Sequence, residues 1–327
     1  MKKSGKQKSQ SKEQARINDL IFRELIKRGH SMEGKSRVWN IADSKLWYLT
    51  PAQSQAFLDL EKYDIKQIFF FEKEIGLIRE NFKILTQEIK NKKINVVDLG
   101  CGDGNKALFF IKGFKDASNI RYCPIDISSF MVNKSLNTLS AVKNLQIIKK
   151  KNNLIDFFNL DDITSSLRKD SFDTNFLLLL GGSLENSDIH QLMHNIRTSM
   201  RDNDYLLIGN KLTHPDHKKM VDYYNKSKYV RNLFLKTIQQ IGINEDEVEY
   251  GARFKVLRVE MFYKFKVDKT IRCNNKKVDF KAGDKLIVAI SYKYTKDRLL
   301  ECLNLYFSST ELYTSKDGAY ALVLCKK

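Results

Sequence analysis

The sequence predicts an α/β fold: a parallel sheet with helices on both faces, joined late in the chain by a β-rich insertion. Three observations carry this. Short apolar runs alternate with helical periodicity between residues 94 and 209. The first of these runs leads straight into a glycine-rich turn, Gly100-Cys101-Gly102-Asp103-Gly104. After residue 250 the pattern turns to strand-like alternation, before a last helix and a hairpin. Strands that alternate with helices build a parallel sheet covered on both sides.

Residues 1–13, mostly Lys, Ser, Gln and Gly, cannot bury enough to order themselves and predict a disordered basic tail. Ala15, Ile17, Leu20, Ile21 and Leu25 recur at helical spacing up to Gly29, and Thr50-Pro51 reads as a helix start, so 14–62 is expected to be an N-terminal helical segment. Residues 68–90 look helical. The alternating core follows: strand Ile94–Leu99, helix Ala107–Phe114, strand Ile120–Asp126, helix Phe130–Val142, then strands Leu145–Lys149, Phe176–Leu180 and Tyr205–Gly209. Val256–Val267, Lys277–Phe280 and Lys285–Lys293 read as strands, with a turn at Asn274-Asn275. A helix at Lys296–Leu303 precedes a hairpin, Asn304–Tyr313 with Tyr320–Cys325, around the turn Lys316-Asp317-Gly318. The expected domains are a core of 63–213 with 295–327 and an inserted substrate-binding domain at 214–294.

At 327 residues and 42% hydrophobic content, the chain can bury a core without disulfides or metals. The composition excludes collagen-like, coiled-coil and wholly disordered classes. Five cysteines form no C-x-x-C pair, no apolar leader is present, and no apolar run is long enough to span a bilayer; a cytoplasmic protein without membrane contact is expected. The net charge of +18 favours polyanions such as RNA, but the basic residues are scattered rather than set in a stripe, and nucleic acid is not the favoured partner.

Val96-Val97-Asp98-Leu99-Gly100-Cys101-Gly102-Asp103-Gly104 carries the chemistry. Glycines let a backbone approach a ligand closely at the carboxyl end of the first strand, where open α/β sheets bind ligands. A dinucleotide fingerprint would need a third glycine where Asn105 stands. The second strand ends Tyr122-Cys123-Pro124-Ile125-Asp126-Ile127-Ser128, where an acidic side chain can accept hydrogen bonds from ribose hydroxyls; a helix N-cap at Asp126 or Ser128 is compatible with that. Asp156-Phe157 follows the third strand, and Gly181-Gly182-Ser183-Leu184-Glu185-Asn186 follows the fourth.

The nine-residue turn resembles motif I of the seven-stranded S-adenosylmethionine-dependent methyltransferases. The order of all four segments resembles the histidine-specific methyltransferase family from about residue 63 to the end. The resemblance implies a Rossmann-like methyltransferase core with an inserted β-containing substrate domain, S-adenosylmethionine as cofactor, and N-methylation of a small amine or amino acid. It places Gly100, Gly102, Lys106, Asp126, Asp156 and Phe157 at cofactor-binding positions. Gly182 and Asn186 match the loop that holds an amino acid's amine and carboxylate; Tyr224 resembles the tyrosine that also holds the carboxylate, with Tyr223 the alternative. Asn186 and Tyr224 are therefore the catalytic candidates, and Tyr224 or a water could take the amine proton. Met261, in Arg258-Val259-Glu260-Met261, and Ser291 match side-chain pocket positions.

Two departures stand out. Ala289 replaces the glutamate that grips imidazole in the family, which leaves room for an aromatic or apolar side chain. Upstream, Tyr63 alone is a candidate for a substrate-facing tyrosine. Methylation of RNA or protein through the basic surface is the competing reading, and a cofactor-binding scaffold without activity is a third. His214, His217, His190 and His194 lack the partners of a zinc site, and no metal is expected.

Overall fold

The computed structural model describes residues 16–67, 70–149, 157, 159–213, 216–273 and 275–327. The expected tail at 1–13, together with Asp156, His214 and Asn274, lies outside the described residues. In chain order the structure runs through α1 (16–28), β1 (His30–Glu33), β2 (Ser36–Asn40), α2 (Pro51–Gln67), α3 (Phe70–Leu85), β3 (Ile94–Leu99), α4 (Asn105–Lys112), β4 (Ile120–Ile125), α5 (Ser129–Leu139) and β5 (Gln146–Ile147). It continues with α6 (Leu160–Leu167), β6 (Thr174–Leu179), α7 (Ile189–Thr198), β7 (Tyr205–Lys211), α8 (His217–Lys226), α9 (Lys228–Gln239), β8 (Val248–Phe254) and β9 (Arg258–Phe265). β10 (Lys269–Cys273), β11 (Lys276–Phe280), β12 (Lys285–Tyr292), α10 (Lys296–Asn304), β13 (Ser309–Thr314) and β14 (Tyr320–Lys326) complete it. These elements divide into two units, Glu61–Pro215 with Tyr292–Lys327, and Met1–Leu60 with Asp216–Ser291.

The first unit is a seven-stranded sheet in the order β13-β14-β7-β6-β3-β4-β5. β5, β4, β3, β6 and β7 run parallel, and β14 is antiparallel to both β7 and β13. Every residue of β3 and β6 is buried, as expected of strands covered on both faces. Their side chains alternate between two cores. Val97, Leu99, Leu177 and Leu179 pack with Leu192 and Ile196 of α7; Val96, Phe176 and Leu178 pack with Phe110 of α4 and Ile78 of α3. β3 leads rightward to β4 and β5, whereas β6 and β7 build the other side. The sheet therefore has its topological switch point between β3 and β6, where open α/β sheets bind ligands.

The second unit holds a five-stranded sheet, β1-β2-β12-β9-β8, and the hairpin β10-β11. The segment 14–62 is not purely helical, contrary to expectation: β1 and β2 form a hairpin, and β2 pairs in parallel with β12 from Lys285↔Val38 to Ile287↔Asn40. Four- and five-residue strands offer too little periodicity to read, and the partner that joins β2 to its sheet lies about 250 residues away. Trp47 Nε1 donates to Val288 O at 2.9 Å, and Gln53 Nε2 donates to Leu46 O at 2.9 Å and Thr237 Oγ1 at 3.1 Å, which ties the N-terminal segment to β12 and α9.

The expected strand Val256–Val267 is also corrected. Val256 and Leu257 form the turn between β8 and β9, both at positive φ (43° and 58°), closed by Lys255 N donating to Arg258 O at 2.9 Å. Two-residue hairpin turns favour Asn and Gly, so an apolar pair there reads as strand. The C-terminal hairpin forms, with Thr314↔Ala321 flanking the Asp317-Gly318 turn, but its first strand starts at Ser309, because Asn304 still belongs to α10.

Candidate active site

The glycine turn opens from the carboxyl end of β3. Gly100 N and Cys101 N both donate to Ile125 O, at 2.8 and 3.0 Å, pinning the turn to the end of β4. Gly102 has φ +52°, and a Cβ built there meets nothing within 4 Å. Its N–H donates to Asp126 Oδ2 at 3.2 Å, while Asp126 Oδ1 accepts from Ser128 N at 2.9 Å. Ser128, not Asp126, is the N-cap of α5 and accepts from Met131 N, leaving Asp126 beside the glycine turn.

Burial pushes the Asp126 carboxyl up to about 6, against the backbone N–H groups of Ser128 and Gly102 that favour its charge. Burial also pushes Asp98 up to about 7, although the Tyr122 hydroxyl donates to it at 2.7 Å. A carboxyl raised on folding binds a proton in the folded chain that it lacks in the unfolded chain. Stability therefore falls as pH rises from the usual carboxylate range through about 6 and 7.

Across the switch point, β6 ends in Gly181 and Gly182, at φ +76° and +81°, followed by a 3-10 turn, Ser183–Asn186. The buried Glu74 holds this loop: its Oε1 accepts from Gly181 N at 3.0 Å and from the Tyr320 hydroxyl at 2.7 Å. Lys106 Nζ lies 3.1 Å from Glu61 Oε1 and 3.7 Å from Glu74 Oε2. Burial opposes the Lys106 charge, but the two glutamates outweigh it and hold its pKa above the usual lysine range. Gly181 sits at φ +76°, where an L side chain is strained, and a Cβ there would also lie 2.1 Å from the end of the Lys106 side chain, which would have to move. A Cβ on Gly100 would lie 2.9 Å from Ser183 Oγ and 4.0 Å from Phe157 Cζ. Gly100, Lys106, Phe157 and the 181–186 loop thus gather at one place. Glu185, beside Asn186, pairs with the buried Lys293 at 2.6 Å.

In the other unit the Tyr224 hydroxyl donates to Ser291 Oγ at 3.2 Å, joining two of the residues singled out from sequence. Tyr223 stacks edge-on against Tyr224 at 5.3 Å. Met261 and Ala289 are buried in the same apolar cluster. Tyr63 lies half-buried on α2. His217 stacks on Phe254, and His190 Nδ1 sits 3.0 Å from the Tyr306 hydroxyl. Among the described residues, no group of His, Cys, Asp and Glu could hold a metal, and no helix is long and apolar enough to cross a membrane.

Sequence reading missed Glu61, Glu74 and Tyr320. The available signal was Glu74 itself, a charge within the apolar run of α3 beside Ile75, Leu77 and Ile78.

The residues at the switch point fit a nucleoside. Open space lies over Gly102, a carboxylate acceptor stands at the end of β4, and the Phe157 ring lies near Gly100. Asp126 gives a pH prediction. If Asp126 takes the ribose hydroxyls of S-adenosylhomocysteine, as the resemblance implies, that ligand should bind about tenfold more weakly at pH 5 than on the plateau above about pH 7, because a hydroxyl donates to the carboxylate and not to its protonated form. Calorimetry across pH 5–8 checks this; Asp126→Asn should flatten the profile, and an unchanged profile in that variant would refute the assignment.

The family model described as histidine-specific methyltransferase, SAM-dependent, matches residues 60–327. A search of the curated proteins gives no match. Among solved structures, the chain is similar to an S-adenosylmethionine-dependent methyltransferase from Clostridium acetobutylicum ATCC 824, at 15% identity and TM-score 0.45, covering 83% of this chain and 98% of that one. It is also similar to the PH0226 protein from Pyrococcus horikoshii OT3, at 15% identity and TM-score 0.40, covering 81% and 94%. A third is the sugar N-methyltransferase KedS8 from Streptoalloteichus sp ATCC 53650, at 12% identity and TM-score 0.41, covering 83% and 93%.

Proposed function

The chain belongs to the histidine-specific, S-adenosylmethionine-dependent methyltransferase family, and from that premise we propose that it methylates the amine of a small amino acid or a closely related compound. The observation that carries this reading is Asn186, on the loop after β6, across the switch point from the glycine turn. An amide there can orient an amine and carboxylate beside the cofactor crevice.

When bound, S-adenosylmethionine supplies an activated methyl group. Gly100, Gly102, Asp126, Asp156, Phe157 and Lys106 are the residues proposed to hold it, with Lys106 paired to Glu74, which accepts from Gly181 N. The amine must be uncharged and in line with the methyl carbon, in a site that excludes water. Before the amine could take that methyl group its ammonium proton must leave, and Tyr224 or a water would accept it. Gly182 and Asn186 are proposed to hold the amino-acid backbone, and Tyr224, Met261 and Ser291 to select the side chain. The inserted segment 214–294, with the N-terminal strands, is read as the substrate-selecting part.

Ala289 predicts altered selectivity. Its side chain is fully buried, so Ala289→Glu should lower the thermal midpoint of the free protein by burying a carboxyl. It should also raise kcat/KM for histidine relative to leucine by about 5- to 100-fold, since it restores an acceptor for the ring N–H, an effect of roughly 1–3 kcal/mol. A ratio that does not move would remove Ala289 from the pocket. An acceptor screen with labelled S-adenosylmethionine tests the reaction class; methylated amino acid or amine is the expected product.

A further inference from the structure

Tyr250 stands out because its hydroxyl oxygen is fully buried and has no hydrogen-bond partner among the described residues. Tyr263, directly opposite it across the β8–β9 pair, donates to Arg231 O at 2.8 Å, and Tyr224 donates to Ser291. The strand register places Tyr250 and Ala252 on one face of β8, with Tyr263 and Met261 opposite them on β9. Asn225, the residue after Tyr224, clamps this strand to α8: its Oδ1 accepts from Ala252 N at 2.6 Å and its Nδ2 donates to Ala252 O at 3.3 Å. Tyr224, Tyr250 and Ala252 all pack against the apolar cluster that holds Met261 and Ala289. Burial, then the neighbouring Tyr224, hold the Tyr250 phenol protonated far above neutral pH.

A buried hydroxyl without a partner is a net cost to folding, and a native fold retains one where something outside the chain completes it. Here the wall also lacks the glutamate that would accept a hydrogen bond at position 289. The polar recognition it retains is donation from hydroxyls.

We infer that the Tyr250 hydroxyl is a specificity-determining group that hydrogen-bonds the side chain of the methyl acceptor, selecting an uncharged side chain with an acceptor atom, such as an imidazole nitrogen or an amide oxygen. The inference rests on the small-acceptor reading above. A permanently protonated phenol offers one donor, which an imidazole nitrogen or amide oxygen satisfies and an aliphatic side chain leaves buried and unmet.

Tyr250→Phe keeps the ring and removes only the hydroxyl. The test measures kcat/KM of wild type and variant for histidine and glutamine against leucine and phenylalanine, with S-adenosylmethionine saturating. The polar-to-apolar ratio should fall about 10- to 100-fold, with the apolar values unchanged and the thermal midpoint unchanged or higher. An unchanged ratio in an active wild-type background overturns this inference alone. So does a uniform loss accompanied by a lower thermal midpoint, which would mean that the hydroxyl serves the fold through an ordered water. Failure of the wild type to methylate any amino acid or amine overturns the small-acceptor reading and this inference together.

Discussion

Gly102→Val is expected to weaken S-adenosylhomocysteine binding at least about 100-fold, equivalent to roughly 2.7 kcal/mol. Two effects add. The backbone at Gly102 has φ +52°, where a β-branched side chain is strained. The new side chain also projects into space that no protein atom occupies within 4 Å, which is the space assigned to the cofactor. The strain should lower the thermal midpoint, but no clash adds to it, so the variant should still fold. Gly104→Ala supplies the contrast, because a Cβ there would lie 2.9 Å from the Ser135 main chain and should act on stability. Calorimetric titration with S-adenosylhomocysteine, alongside thermal melts, checks both. Unchanged binding by Gly102→Val would put the crevice elsewhere.

Asn186→Ala should lower kcat/KM by about 10- to 100-fold for every amino-acid acceptor alike, because a hydrogen bond to a charged carboxylate is worth roughly 1.5–3 kcal/mol and that group is common to all of them. Binding of S-adenosylhomocysteine should be unaffected. The Asn186 side chain is half-buried at the end of its 3-10 turn, and the loop is held from beneath by Glu74 through Gly181, so truncation should leave the loop in place. Steady-state kinetics over several acceptors decides the point. A loss confined to one acceptor would assign Asn186 to side-chain selection instead.

The glycine turn and the sheet around it were legible because β3 and β6 are buried on both faces and so read as short, mainly apolar runs, Val96-Val97 and Phe176–Leu180, followed closely by glycine. Asp126 was legible for the same reason, as the first acidic residue after such a run. Other features were not local. β1 and β2 form a short local hairpin that joins its sheet only through the pairing of β2 with β12, far along the chain. Val256 and Leu257 carry strand-like side chains in a turn, which shifted the first inserted strand and hid β8 altogether. The support beneath the 181–186 loop joins Glu61 and Glu74 to Lys106 and Tyr320, contacts between elements up to 246 residues apart. The bare hydroxyl of Tyr250 is a fact of three-dimensional burial, with no counterpart in spacing.

The central claim is that the methyl group goes to the amine of a small molecule. The most direct measurement incubates the purified protein with S-adenosylmethionine labelled in its methyl group and a mixture of free amino acids, RNA and a basic protein, then separates the products by size and identifies the labelled species by mass spectrometry. The account predicts label in the small-molecule fraction, on the nitrogen of an amino acid or related amine, and its loss in Asn186→Ala. Label confined to RNA or to protein would contradict it and assign the +18 net charge to recruitment of a macromolecular substrate.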